Sequence, residues 1–110
     1  MESADPTPVQ RIIAEYHAGL TKALGRLLEQ VVLYGSYSRG TAGPESDIDI
    51  LCVLREPFDF GAMIARTSEL TAALSLKYDV VISRTFVTSR DYATRQTPFL
   101  MGVRKEHIQV

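Results

Sequence analysis

The segment SDIDILCVL, Ser46 to Leu54, sets two carboxylates at the head of a run that otherwise reads as a buried strand. A carboxylate without a partner is costly near a core, so Asp47 and Asp49 must be placed where something positive can meet them. Side chains on a strand alternate between faces, so the two aspartates share one face while Ile48 and Ile50 take the other. Along the strand they stand about 6–7 Å apart. Two carboxylates at that spacing can close on one hard divalent cation. Mg²⁺ takes oxygen ligands and is commonly held by one or two carboxylates, with waters and substrate phosphates completing its shell. Taken alone, Asp-x-Asp is equally the polar face of an edge strand.

The residues upstream narrow the choice. Gly35 and Ser36 close a short apolar run, Val31 to Tyr34, and ten residues separate Ser36 from Asp47. Gly35 lacks the side chain that would block a close approach. Ser36 opens a short helix, whose free N–H groups and partial positive charge suit a phosphate. Gly-Ser alone is an ordinary turn; followed at this distance by Asp-x-Asp, it points to a site for a phosphorylated ligand.

The rest of the chain supplies a frame for that site. Thr7 and Pro8 suit an N-cap and a first helical position, after a flexible start over residues 1–7. Val9, Ile12, Ile13, Tyr16, Leu20, Leu24, Leu27 and Leu28 recur in steps of three and four, predicting a helix over 8–29. Strands are expected over 31–34 and 47–54, and Pro57 ends the second. Asp59 caps a second long helix over 59–76, which carries Phe60, Met63, Ile64, Thr67, Leu70, Thr71 and Leu74. A third strand follows over 78–83, then a polar turn, then a last helix with Pro98 in its first turn. On that helix Phe99 and Met101 are assigned to core packing, with a partner surface as the alternative. The order is helix, strand, strand, helix, strand, helix: an α/β domain over 8–110, with a small mixed sheet flanked by helices.

Bulk properties set limits. The chain has 110 residues, enough for one domain, and 45% hydrophobic residues, enough for a core. A net charge of -1 argues against a general nucleic-acid binder, which is normally strongly basic. Cys52 is the only cysteine, so no internal disulfide can form, and it reads as a small core residue. His17 and His107 have no second ligand at metal-binding spacing and read as surface residues. With no apolar run near the ~20 residues a bilayer requires, and a polar N-terminus, the expected location is the cytoplasm, away from membranes.

GSYSRGTAGPESDID resembles the signature of the DNA polymerase beta-like nucleotidyltransferase superfamily, and most closely that of its minimal nucleotidyltransferase (MNT) members. The resemblance covers nearly the whole chain. It implies a nucleotidyltransferase fold and a third carboxylate on a later strand, for which Asp79 in KYDVVIS is the candidate. It further implies that Asp47, Asp49 and Asp79 hold Mg²⁺ and serve catalysis, and that Gly35 and Ser36 cradle the phosphates of ATP. Arg39, three residues after the Gly-Ser turn, is placed to touch a phosphate and is equally a solvated helix arginine. Ser46 would shape the turn before the aspartates.

Larger relatives of the kanamycin nucleotidyltransferase type carry a second domain for a small-molecule acceptor. The bare domain resembles the antitoxin half of HEPN/MNT toxin–antitoxin pairs. In that family AMP passes from ATP to a tyrosine of the HEPN ribonuclease toxin, the partner in a hetero-oligomer, and silences it. Two alternatives stay open: an antitoxin that acts by binding without turnover, and a transferase acting on a small-molecule hydroxyl.

Overall fold

A computed structural model of the chain describes residues 8–43 and 47–110. The expected cap at Thr7, the flexible start over 1–7 and the turn role of Ser46 lie outside the described residues.

Helix α1 spans Pro8–Leu24 and passes through one 3-10 turn, Gly25–Leu27, into strand β1, Leu28–Tyr34. The helix stops earlier than the apolar stripe suggests because Gly25 adopts a positive φ of 57°. A single helical turn α2, Ser36–Arg39, precedes β2, Ile48–Leu54. Then come α3 (Phe60–Tyr78), β3 (Ile82–Thr88), α4 (Ser89–Thr94), α5 (Pro98–Lys105) and a two-residue β4, Ile108–Gln109. The caps follow local chemistry. Asp59 Oδ2 accepts from the Ala62 N–H at 2.9 Å, and Thr97 Oγ1 accepts from the Leu100 N–H at 3.2 Å with Pro98 behind it.

One expected element is misplaced. The third strand was expected over 78–83, but α3 continues to Tyr78, and Asp79 is its C-cap in the left-handed conformation, φ 54° and ψ 52°. The Val80 N–H folds back to the Ser75 carbonyl at 3.0 Å, so the chain cannot extend until Ile82. Asp79 therefore ends a helix rather than starting a strand. Part of the expected polar turn is strand, through Thr88, and α4 is an added element.

The sheet order is β3-β2-β1-β4. β1 runs antiparallel to β2 and to β4, whereas β3 is parallel to β2, so the sheet is mixed. On one face Ile48, Ile50, Cys52 and Leu54 pack with Val31 and Leu33 beneath α1 and α3. On the other face Val32, Leu51 and Val53 pack against Leu100 and Val103 of α5. Several polar groups beneath α1 and α3 are paired. Tyr16 and Thr71 share a 2.8 Å hydrogen bond, and Arg84 donates to Thr67 Oγ1 and the Ile64 carbonyl, both at 3.0 Å.

Phe99 and Met101, expected in the core, are 45% and 52% exposed. The eight-residue α5 turns only the Leu100–Val103 stripe inward. Among the described residues, no helix is long and apolar enough to cross a membrane.

Candidate active site

The register of the β1–β2 pair builds the site. Tyr34 stands opposite Asp49, so the residue that follows it, Gly35, leaves the sheet beside the Asp49 carboxylate. Gly35 takes φ 76° and ψ -154°, a conformation open essentially to glycine alone. Its missing side chain also matters, because a Cβ there would overlap Asp49 Oδ2. The Gly35 carbonyl accepts from the N–H groups of Ser38 (3.1 Å) and Arg39 (3.2 Å) and from Ser38 Oγ (2.9 Å). This fixes α2 against the end of β1. Gly40 closes the turn with φ 74° and returns its N–H to the Ser36 carbonyl.

Electrostatics link the parts. Burial, and then the charge of Asp47, push the Asp49 carboxyl above the ordinary carboxylate value, and Arg39 works against both. Asp49 thus feels the charges of both Asp47 and Arg39. Asp47 and Arg39 are exposed, and Asp49, Gly35 and Ser36 are half-buried. Two oxygen donors on one face, one of them raised in pKa by burial and then by the other, suit a hard divalent cation. Asp47 and Asp49 would hold it, a carboxylate pair being an ordinary protein share of a Mg²⁺ shell that waters and substrate phosphates complete.

Asp79 is not brought into that group. Among the described residues, no three of the types His, Cys, Asp and Glu converge as metal ligands. Asp79 is exposed, two residues before Val81, whose carbonyl accepts from the Ile48 N–H at 2.9 Å. It stands at the same end of the sheet as Asp47, but its helix-cap position keeps it out of the cluster.

Two contributors went unseen in the sequence. Tyr34 lies beside Asp49, and its hydroxyl pKa is raised by burial and then by Asp49. Phe99 meets the Tyr34 ring edge-on, with centroids 5.3 Å apart at 83°. Both line a cavity of about 300 Å³ that also touches Gly35 and Arg39. Pairing register alone could have revealed Tyr34, and nothing local marks Phe99. A larger cavity of about 490 Å³, between α1 and β4, opens at Leu33 and Tyr37 on the opposite face of the sheet and is mostly apolar.

A mixed four-stranded sheet, with paired aspartates at its open end and a glycine turn against them, is the layout of a small phosphate-handling enzyme. Residues 18–100 match the family described as "Nucleotidyltransferase domain", and the chain belongs to that family. Two proteins of Methanocaldococcus jannaschii, each bearing the name "putative protein adenylyltransferase", are similar to it. One is 35% identical over 72 residues, 66% of this chain and 72% of the relative. The other is 36% identical over 74 residues, 67% of this chain and 68% of the relative.

Solved structures share the fold. One named as a minimal nucleotidyltransferase has a TM-score of 0.58 at 22% identity, covering 98% of this chain and all of that one (100%). A toxin–antitoxin structure with AMP-PNP has a TM-score of 0.59 at 23% identity, covering 86% and 68%. A variant of the MntA–HpeT toxin–antitoxin has a TM-score of 0.54 at 26% identity, with the same coverage.

Proposed function

We propose that this chain is a Mg²⁺-dependent protein adenylyltransferase, the antitoxin of a cytoplasmic toxin–antitoxin pair, which transfers AMP from ATP to a tyrosine of a HEPN-type ribonuclease toxin. The observation that carries the reading is the contact between the bare Gly35 Cα and the Asp49 carboxylate, with Asp47 on the same face. Phosphate oxygens and a cation can then approach from one side. The names of the similar proteins support protein as acceptor, and the AMP-PNP and toxin–antitoxin structures support nucleotide and partner.

In the proposed reaction the acceptor oxygen attacks the α-phosphorus in line. The P–O bond to the β-phosphate breaks, and pyrophosphate leaves with its electron pair. The acceptor proton passes to a carboxylate. The family resemblance gives that role to Asp79, which would have to turn toward the acceptor from its helix-cap position outside the aspartate pair. Gly35 and Ser36 position the β- and γ-phosphates, and Arg39 offsets charge on the phosphates. Bound Mg²⁺ supplies Lewis-acid stabilisation of the charge that develops there.

The test is to mix the purified protein with α-labelled ATP, Mg²⁺ and the product of the neighbouring gene, and to look for label on protein. Label on the toxin, lost with Asp49→Asn, is the expected result. Full neutralisation by Asp49→Asn without label would show an antitoxin that acts by occlusion. Label on small molecules alone would move the acceptor outside protein.

A further inference from the structure

We propose that the cavity between α5 and the Gly35 turn receives the nucleoside of the donor nucleotide, with its base set against the Phe99 ring. The inference rests on the nucleotidyl-transfer reading and extends it to a part of the ligand for which the aspartate and Gly-Ser motifs provide no contact.

The phosphate turn and the cavity are continuous. Gly35 belongs both to the phosphate turn and to the cavity wall, and Arg39 does the same. Tyr34, on the cavity floor, is the strand partner of Asp49. A nucleotide whose phosphates lie against Gly35, Arg39 and the aspartates must put its sugar and base within one nucleoside's length of them. On this face of the sheet, the cavity that Gly35 and Arg39 both line lies within that reach. The 490 Å³ cavity cannot serve, because Leu33 opens it on the reverse face, away from Asp49.

Size and lining agree. About 300 Å³ is at the lower end for small-molecule sites and suits a base with its ribose. Phe99 is 45% exposed and packs perpendicular to Tyr34, which leaves aromatic surface for stacking while the contact helps orient the ring. Aromatic stacking accepts any base, which fits a site with no local base-reading motif. Gly102, one turn along α5 from Phe99, leaves room in the wall, since a Cβ there would meet nothing within 4 Å. The far rim is tied to the turn: Ser38 Oγ donates to the Glu106 carbonyl at 3.4 Å as well as to Gly35.

Two variants test this by different means. Phe99→Ala removes the platform. Gly102→Leu fills the space and favours the helix it stands in. Calorimetry with Mg²⁺ compares ATP with inorganic tripolyphosphate, which has the phosphates but no nucleoside. The expected result is at least a tenfold weaker ATP affinity in both variants, as loss of one stacked base implies, with tripolyphosphate affinity unchanged within twofold. Unchanged ATP affinity overturns the proposal. If labelling of the acceptor is lost at the same time, the cavity belongs to the acceptor side chain. An equal loss for both ligands also overturns it, because the turn has then been disturbed. A wild-type protein that binds neither ligand sinks the nucleotidyl-transfer reading itself, a result the variants cannot imitate.

Discussion

Replacing Gly35 with alanine should damage the protein in two separable ways. The first is backbone strain. A residue with a Cβ held at φ 76° and ψ -154° sits in a region that costs about 1–3 kcal/mol. For a domain of this size that lowers Tm by roughly 5–15 °C. The second is displacement. The new Cβ would overlap Asp49 Oδ2 and lie 3.2 Å from its Cγ. To restore ordinary contact the carboxylate must retreat by roughly 1 Å, and a misplacement of that order in a catalytic constellation costs about 100-fold in rate. Gly40→Ala is the control. Gly40 also has a positive φ, 74°, but a Cβ there meets nothing within 4 Å. It should lose roughly 1–2 kcal/mol of stability and keep wild-type Mg²⁺-ATP binding and transfer. Adding Asp49→Ala to Gly35→Ala should recover the overlap part of the stability loss, read as a coupling in a double-mutant cycle. Thermal melts, calorimetry and the labelling assay together decide the matter. If Gly35→Ala melts lower but binds and transfers like wild type, the contact with Asp49 has no functional meaning and the site assignment fails.

Asp49→Asn should melt higher than wild type at neutral pH in metal-free buffer, measured by calorimetry. The folded state raises the Asp49 pKa, so its ionised form opposes folding above that pKa and the penalty fades as pH falls through it. The advantage of asparagine should therefore shrink on acidification, and saturating Mg²⁺-ATP should reverse the ranking. Tyr78→Phe removes the hydroxyl that donates to Glu15 Oε1 at 2.5 Å, the main reason, ahead of Lys77, that the Glu15 carboxyl lies below 4.5. A depressed carboxyl stabilises the fold above its unfolded pKa and loses that effect as pH falls through its folded value. The variant should thus lose less stability than wild type during acid titration below 4.5. Leu20→Ala empties a fully buried position between α1 and the sheet and should cost about 2–5 kcal/mol in chemical denaturation, without changing ATP affinity per folded molecule.

Features governed by neighbouring residues were readable in advance. Asp59 and Pro98 announce helix starts, and the Gly35–Asp49 spacing announces the turn and the paired carboxylates. The α3–β3 boundary was not, because Leu76, Lys77 and Tyr78 serve a helix or a strand equally well. The choice is made by the left-handed cap at Asp79 and the return of the Val80 N–H to Ser75. That four-residue displacement is why the third carboxylate stands outside the group expected to hold metal. Register was likewise hidden. Nothing in LYGSYS indicates that Tyr34 will face Asp49 after a connection of more than a dozen residues, since pairing is set by the cores on both faces of the sheet.

Those cores also explain how β2 can carry a carboxylate at all. From Ile50 to Leu54 the strand is covered on both sides, by α1 and α3 on one face and α5 on the other. Helix α5 has eight residues and a single inward stripe, so Leu100 and Val103 reach Leu51 and Val53 and cover stops there. Asp49 is the next position on that face, half-buried at the edge of the cover, and Asp47 is the one beyond, in the open. One more covered position would bury Asp49 with Asp47 against it and raise its pKa further, at the expense of the charge a cation needs. One fewer would let water screen the pair and weaken the hold on metal. The cover that Leu100 and Val103 give β2 therefore ends one position short of Asp49. It also leaves Phe99 on the near side of the helix, bordering the cavity beside Gly35.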